Sequence, residues 1–153
     1  MNDNSVTHAT FQLERTYAAP TAKVWAAFSD AETKQEWFHG PPEWGPDDHA
    51  MDFRVGGKET SAGGPPGEAS HRFDAQYYDI VDEARIVFAY DMYVGDNKLS
   101  TSLTTIEFNG EGDKTRLVFT EQGAFYGEGG PADAKSREEG TLGLLEQVAE
   151  AVE

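Results

Sequence analysis

The sequence has no cysteine, few cations and no long hydrophobic run. Without thiols, a disulfide framework, thiolate catalysis and Cys-based zinc sites are excluded, and redox chemistry gives no indication of compartment. Only 12 Lys and Arg stand against 28 Asp and Glu, a formal charge of −16. A field of that sign repels phosphate backbones and anionic headgroups, so no nucleic acid and no membrane surface is expected as a partner. The longest apolar runs, Val24 to Phe28 and Ile86 to Tyr90, are five residues each, where a bilayer span needs about 20. The polar stretch from Met1 to Thr10 carries no apolar signal core, and the cytoplasm is the expected compartment. What the 153 residues do have is a hydrophobic share of 38% with 12% aromatic, enough for one domain with an ordinary core. Residues 1–9 are expected to be a flexible N-terminus to it.

Phe11 to Tyr17 alternates Phe11, Leu13, Arg15 and Tyr17 against Gln12, Glu14 and Thr16, the period of a half-buried strand. Pro20 suits the first position of a following helix, because its missing N–H has no intrahelical partner there. Val24, Trp25 and Phe28 give that helix an apolar stripe, and Ser29-Asp30 caps a second short helix toward Trp37. Three prolines and two glycines between Gly40 and Asp48 make a loop carrying Trp44. Strands are predicted over Met51 to Val55, His71 to Ile80, Arg85 to Tyr93, Ser100 to Phe108 and Thr115 to Gln122. Their turn-rich joints imply antiparallel neighbours. Four glycines between Gly123 and Pro131 mark another loop. Ser136 and Glu139 then form a capping box that opens a helix with the stripe Leu142, Leu145, Val148, Ala149 and Val152. Gly140 and Gly143 inside it each cost about 1 kcal/mol against alanine, which suggests close approach to the sheet or space left for something bound. The order of elements predicts an α+β fold with the last helix across one sheet face. No internal repeat interrupts it.

Several residues carry a family resemblance. Tyr17-Ala18-Ala19-Pro20 with Val24-Trp25, then Trp37-Phe38, Gly40-Pro41, Asp52 to Gly57, and at the end Arg137 to Thr141 with Leu144-Leu145, resemble the bacterial homologues of the C-terminal domain of the heat-shock-protein-90 ATPase activator. Together they cover nearly the whole chain. The resemblance implies the START-like, birch-pollen-allergen-like superfamily and its helix-grip fold: a curved antiparallel sheet wrapped around the long last helix, commonly with a cavity between them. The eukaryotic activator has a separate domain for docking its chaperone, which these residues leave no room for, so chaperone activation is not expected. Polyketide cyclases and dehydratases share the superfamily, but their pocket residues differ among subgroups and no catalytic set carries over.

If the helix covers the concave face, alternation turns Ile86, Phe88, Tyr90 and Met92 inward, with Leu117, Phe119 and Glu121, Phe73, Ala75 and Tyr77, Ile106 and Phe108, and Leu142 and Leu145. Packed solid these are a core; with a gap they line an apolar pocket with polar tips. The expected ligand-binding set is Trp37, Phe73, Tyr77, Phe88, Tyr90, Met92, Phe119, Glu121, Leu142 and Leu145, and the expected partner is a small hydrophobic or amphipathic molecule. Glu121 is the sharpest of these, because a buried carboxylate needs a partner and acquires a raised pKa without one. In a pocket it could orient a ligand or act as a general base with Tyr77 or Tyr90. At a strand end it would be wet or paired with an arginine. Trp25 reads as structural, while Trp37 and Trp44 flank a loop that could gate a cavity mouth. His8, His39, His49 and His71 show no metal-ligand spacing, sit in loops or at strand starts and read as solvated, so neither a metal nor another cofactor is expected. Gly56-Gly57 is a turn, not a phosphate loop. The acidic surplus is spread along the chain, as on a solvated or salt-adapted surface. Three functions follow: ligand binding without turnover, a cyclase- or dehydratase-like acid–base enzyme, or a chaperone-linked interaction module. A homodimer stays open.

Overall fold

Period-two alternation carries β1 (Val6–Tyr17) further than the apolar residues alone suggest. In the computed structural model, which describes residues 4–153, Phe11 and Tyr17 are buried and Gln12, Glu14 and Thr16 exposed. The strand also takes in Val6 to Ala9, which pair with Tyr126 to Gly123. The flexible N-terminus expected over residues 1–9 is therefore corrected for these four, held by a neighbouring strand; Met1 to Asp3 lie outside the described residues. Pro20 occupies the cap of α1 (Thr21–Ser29), one position before the first helical turn, with an extended ψ of 155° and a carbonyl that accepts from Lys23 and Val24. The Asp30 carboxylate caps α2 (Ala31–Gln35), accepting from the Thr33 N–H at 3.3 Å and its hydroxyl at 2.6 Å. The proline-rich loop follows and contains one 3-10 turn, Pro42–Trp44.

The strands are β2 (Asp48–Met51), β3 (Lys58–Gly63), β4 (His71–Val81), β5 (Arg85–Val94), β6 (Asn97–Glu111) and β7 (Lys114–Tyr126). The strand expected over Met51 to Val55 is corrected: Met51 closes β2, and the chain then turns through Gly56, whose φ of 84° favours glycine. β3 has no counterpart among the expectations. Its inward positions are Glu59 and Ser61, so the hydropathy alternation that marks a strand is absent from it. All seven strands form one antiparallel sheet in the order β1-β7-β6-β5-β4-β3-β2.

The last helix, α3 (Gly130–Val152), begins six residues before the expected cap at Ser136. Pro131 fits its first turn. A Cβ on Gly130 would lie 2.7 Å from Thr7 Oγ1 and 2.9 Å from the Phe125 carbonyl oxygen, so only glycine allows the helix to start against β1 and β7 there. Thr141, Leu145, Val148, Ala149 and Val152 form the buried stripe, and Leu142 falls on its flank, 51% exposed. The second half of α3 is fastened to β1 and the residue after it: the Tyr17 hydroxyl donates to the Leu145 carbonyl at 2.8 Å, Arg15 pairs with Glu146, and the Ala18 N–H donates to Glu153 at 3.0 Å. At this end the core is solid, with Trp25 and Phe28 edge-on to Phe108, and Phe53 edge-on to Trp25 and Tyr77.

Candidate functional site

At the other end the interior is open. Between the inner face of the sheet, α3 from Asp133 to Leu145 and the loop after α2 lies a cavity of about 850 Å³, within the range of small-molecule sites. Phe73, Phe88, Tyr90 and Phe119, with Ile106, give it a largely aromatic floor from β4, β5, β6 and β7. Trp37, held by its indole N–H to the Ala27 carbonyl at 2.7 Å, forms a wall with Phe38. Trp44 stands at the rim against His71, ring centroids 4.9 Å apart. Gly140 lines the helical side, and a Cβ there or at Gly143 would meet nothing within 4 Å. Neither glycine serves close approach to the sheet.

Of the ten side chains expected to bind a ligand, Trp37, Phe73, Phe88, Tyr90, Met92, Phe119, Glu121 and Leu145 face this cavity. Two do not. Leu142 points away from it for the helical reason given above. Tyr77 is buried in the solid half, its hydroxyl donating to Glu59 at 2.5 Å, and burial pushes that phenol above its ordinary range.

Glu121 is 2% exposed, so the wet strand-end reading is corrected, while the arginine partner is present. The Tyr90 hydroxyl lies 3.0 and 2.9 Å from its two oxygens, and Thr104 donates to Oε1 at 3.3 Å. Arg137 Nη1 donates to the Tyr90 oxygen at 2.8 Å and reaches Glu121 at 3.5 Å, and Nη2 donates to Ser100 at 2.9 Å. Burial raises the Glu121 pKa above the usual carboxylate value, although the Arg137 charge and the Tyr90 hydrogen bond act against it. Burial likewise raises Tyr90. The cluster thus offers a carboxyl group that can hold a proton, a phenol between it and a cation, and an apolar chamber beside them.

A second buried cluster has no sequence signal pointing to it. Lys34 of α2 and Glu59 of β3 pair at 2.7 Å, 5% and 1% exposed. His49 Nε2 lies 2.8 Å from the other Glu59 oxygen, so His49 is a packed residue and the solvated reading is corrected for it. Burial would raise the Glu59 pKa, but the Lys34 charge and the hydrogen bonds from His49, Lys34 and Tyr77 bring it down to about 2. Lys34 also lines the cavity. Arg137, read from sequence as part of a helix cap, and Lys34, in a short polar helix, were both hidden by plain local explanations. Among the described residues no three His, Cys, Asp or Glu side chains converge as a metal-ligand set.

A curved seven-stranded antiparallel sheet gripping a long C-terminal helix, with two short helices after its first strand, is the helix-grip architecture of START-like proteins. Residues 18–153 match the family described as Activator of Hsp90 ATPase homolog 1-like protein, and the chain belongs to that family. Among solved structures, protein Mll3558 from Rhizobium loti is similar at 45% identity, with 97% of this chain and 100% of that one covered and a TM-score of 0.88. A protein from Rhizobium leguminosarum is similar at 41% identity, with 96% and 95% covered and a TM-score of 0.89. DynU16, from the dynemicin biosynthetic locus, shares the fold at 17% identity, with 92% and 46% covered and a TM-score of 0.67. No curated protein matches the chain. Among the described residues no helix is long and apolar enough to cross a membrane.

Proposed function

We propose that this protein binds a small hydrophobic or amphipathic molecule in the cavity between the sheet and the first half of α3. The observation that carries the reading is the cavity itself: about 850 Å³ bounded by aromatic side chains, with Glu121, Arg137 and Lys34 as its innermost charged groups. Apolar walls supply most of the free energy of such binding, and a few convergent polar groups set orientation. Trp37 and Trp44 line the space, so titration with apolar dyes should change tryptophan fluorescence saturably. The absence of any saturable change, with a protein that melts cooperatively, would remove the reading.

A second reading, acid–base turnover of a bound polyketide-like substrate, is supported by one specific arrangement. Glu121 is buried, its pKa is raised, and Tyr90 bridges it to Arg137. A general acid or base working near neutrality needs such a shift. Tyr77, bound to Glu59 in the solid half, takes no part. Screening for turnover with wild type and Glu121→Gln tests it: activity that survives the substitution unchanged eliminates Glu121 as the acid–base group.

A further inference from the structure

Lys34 raises a question that the cavity's shape alone does not answer. Its ammonium has three N–H donors and makes one hydrogen bond, to Glu59 Oε1 at 2.7 Å. Around it stand ring faces, with Nζ 4.9 Å from the Phe38 centroid and 6.0 Å from those of Trp37 and Phe88. Cation–π attraction holds a cation among rings, but it supplies no oxygen acceptor. Lys34 is nevertheless 5% exposed and belongs to the cavity wall, while Glu59 does not reach that wall. The deep wall therefore carries a buried donor whose hydrogen-bonding capacity is two-thirds unused.

We propose that the cavity's guest is a planar apolar molecule bearing an uncharged oxygen acceptor, a ketone or similar carbonyl, and that this oxygen seats on Lys34 Nζ. The proposal rests on the binding function above. Three observations select the chemistry. The aromatic walls favour a flat body that can stack or meet ring edges. Glu59 already balances the Lys34 charge and is itself satisfied by Lys34, Tyr77 and His49, so a neutral oxygen completes the ammonium, whereas an anionic one would be set beside Glu59 in a poorly solvated place. Arg137, the other cation on the wall, is already committed to Tyr90, Ser100 and Glu121. Lys34 is the donor with capacity to spare.

The test compares two probes of the same shape: the fluorescent naphthyl ketone Prodan and its propyl counterpart, in which a methylene replaces the carbonyl. Wild type should bind the ketone about tenfold more tightly, the ratio a charge-assisted hydrogen bond gives after loss of water, and the bound ketone should show the red-shifted emission of a hydrogen-bonded carbonyl. Lys34→Met alone strands Glu59, so the variant used is K34M/E59Q. It should lose the preference, the two probes then binding within about twofold of each other. Equal binding of the two probes by wild type, or a preference that survives K34M/E59Q and vanishes in Arg137→Met, overturns the seat at Lys34 and leaves the cavity reading standing. Failure of both probes to bind overturns both. Should the double variant not fold, the carbonyl stretch of the ketone bound to wild type decides: a lowered frequency supports the seat, and the frequency of an aprotic solvent overturns it.

Discussion

Two carboxylates lie buried on the inner face of this sheet, and their neighbours drive them in opposite directions. Glu59 is surrounded by donors and its pKa falls to about 2, against an ordinary 4.5. A depressed carboxylate stabilises the fold fully above its unfolded pKa, and the contribution is lost as pH falls through the folded value. Thermal melting should therefore show an acid-dependent loss between about pH 4.5 and 2, on the order of 3 kcal/mol, and Glu59→Gln should flatten that slope. Removing only the cation is more severe: Lys34→Met should cost about 3–5 kcal/mol in urea denaturation, with K34M/E59Q recovering most of it. Glu121 is raised because burial outweighs Arg137 and Tyr90. The fold then favours its protonated form, and a penalty grows as pH rises above the unfolded value and through the folded one. Glu121→Gln should gain stability relative to wild type as pH rises above the ordinary carboxylate value; a difference in melting temperature independent of pH would contradict the raised pKa.

At the scale of elements, what could be read from the sequence was whatever followed hydrophobic period. β4 and β5 alternate apolar residues, Ile106 with Phe108 and Leu117 with Phe119 do so in β6 and β7, and the inward faces read from them are those observed, although β6 also buries Ser100, Ser102 and Thr104 on that face. β3 could not be read because its inward residues are Glu59 and Ser61, and that strand supplies the carboxylate at the centre of the Lys34 cluster. Charge buried on the core face erases the signal by which a core face is recognised. The start of α3 was missed for a different reason, since Gly129, Gly130 and Pro131 look like loop until Thr7 and the Phe125 carbonyl are known to stand against Gly130. The glycines of α3 should accordingly differ. Gly130→Ala forces a Cβ against backbone and should destabilise by about 1–3 kcal/mol. Gly140→Ala and Gly143→Ala, with open space around the added methyl, should each stabilise by about 0.5–1 kcal/mol. Chemical denaturation of the three variants checks both signs.

The whole molecule carries 28 acidic against 12 basic side chains. Most of its ion pairs are exposed, Arg54–Asp52 and Arg85–Asp79 among them, and contribute little individually, so the surplus of like charge acts mainly as self-repulsion. Raising salt from about 0.1 to about 1 M shortens the screening length from about 10 to about 3 Å and should raise the melting temperature by a few degrees. A melting temperature indifferent to salt would show that the repulsion is negligible.

The fastening of α3 has a mechanical outcome. From Leu145 onward the helix and its last residue are tied to β1 and the chain just beyond it through Tyr17, Arg15 and Ala18, while its earlier turns roof the cavity past an unobstructed Gly140. It is clamped at one end, meets Thr7 and the Phe125 carbonyl at Gly130, and between the two is tied to the sheet by the Arg137 side chain, which reaches Tyr90, Ser100 and Glu121. Deuterium uptake should be quicker in the middle turns, around Lys135 to Gly143, than in the clamped ones. On the proposed binding function, a guest enters by bending this one helix, and the hydrogen bonds between strands need not break.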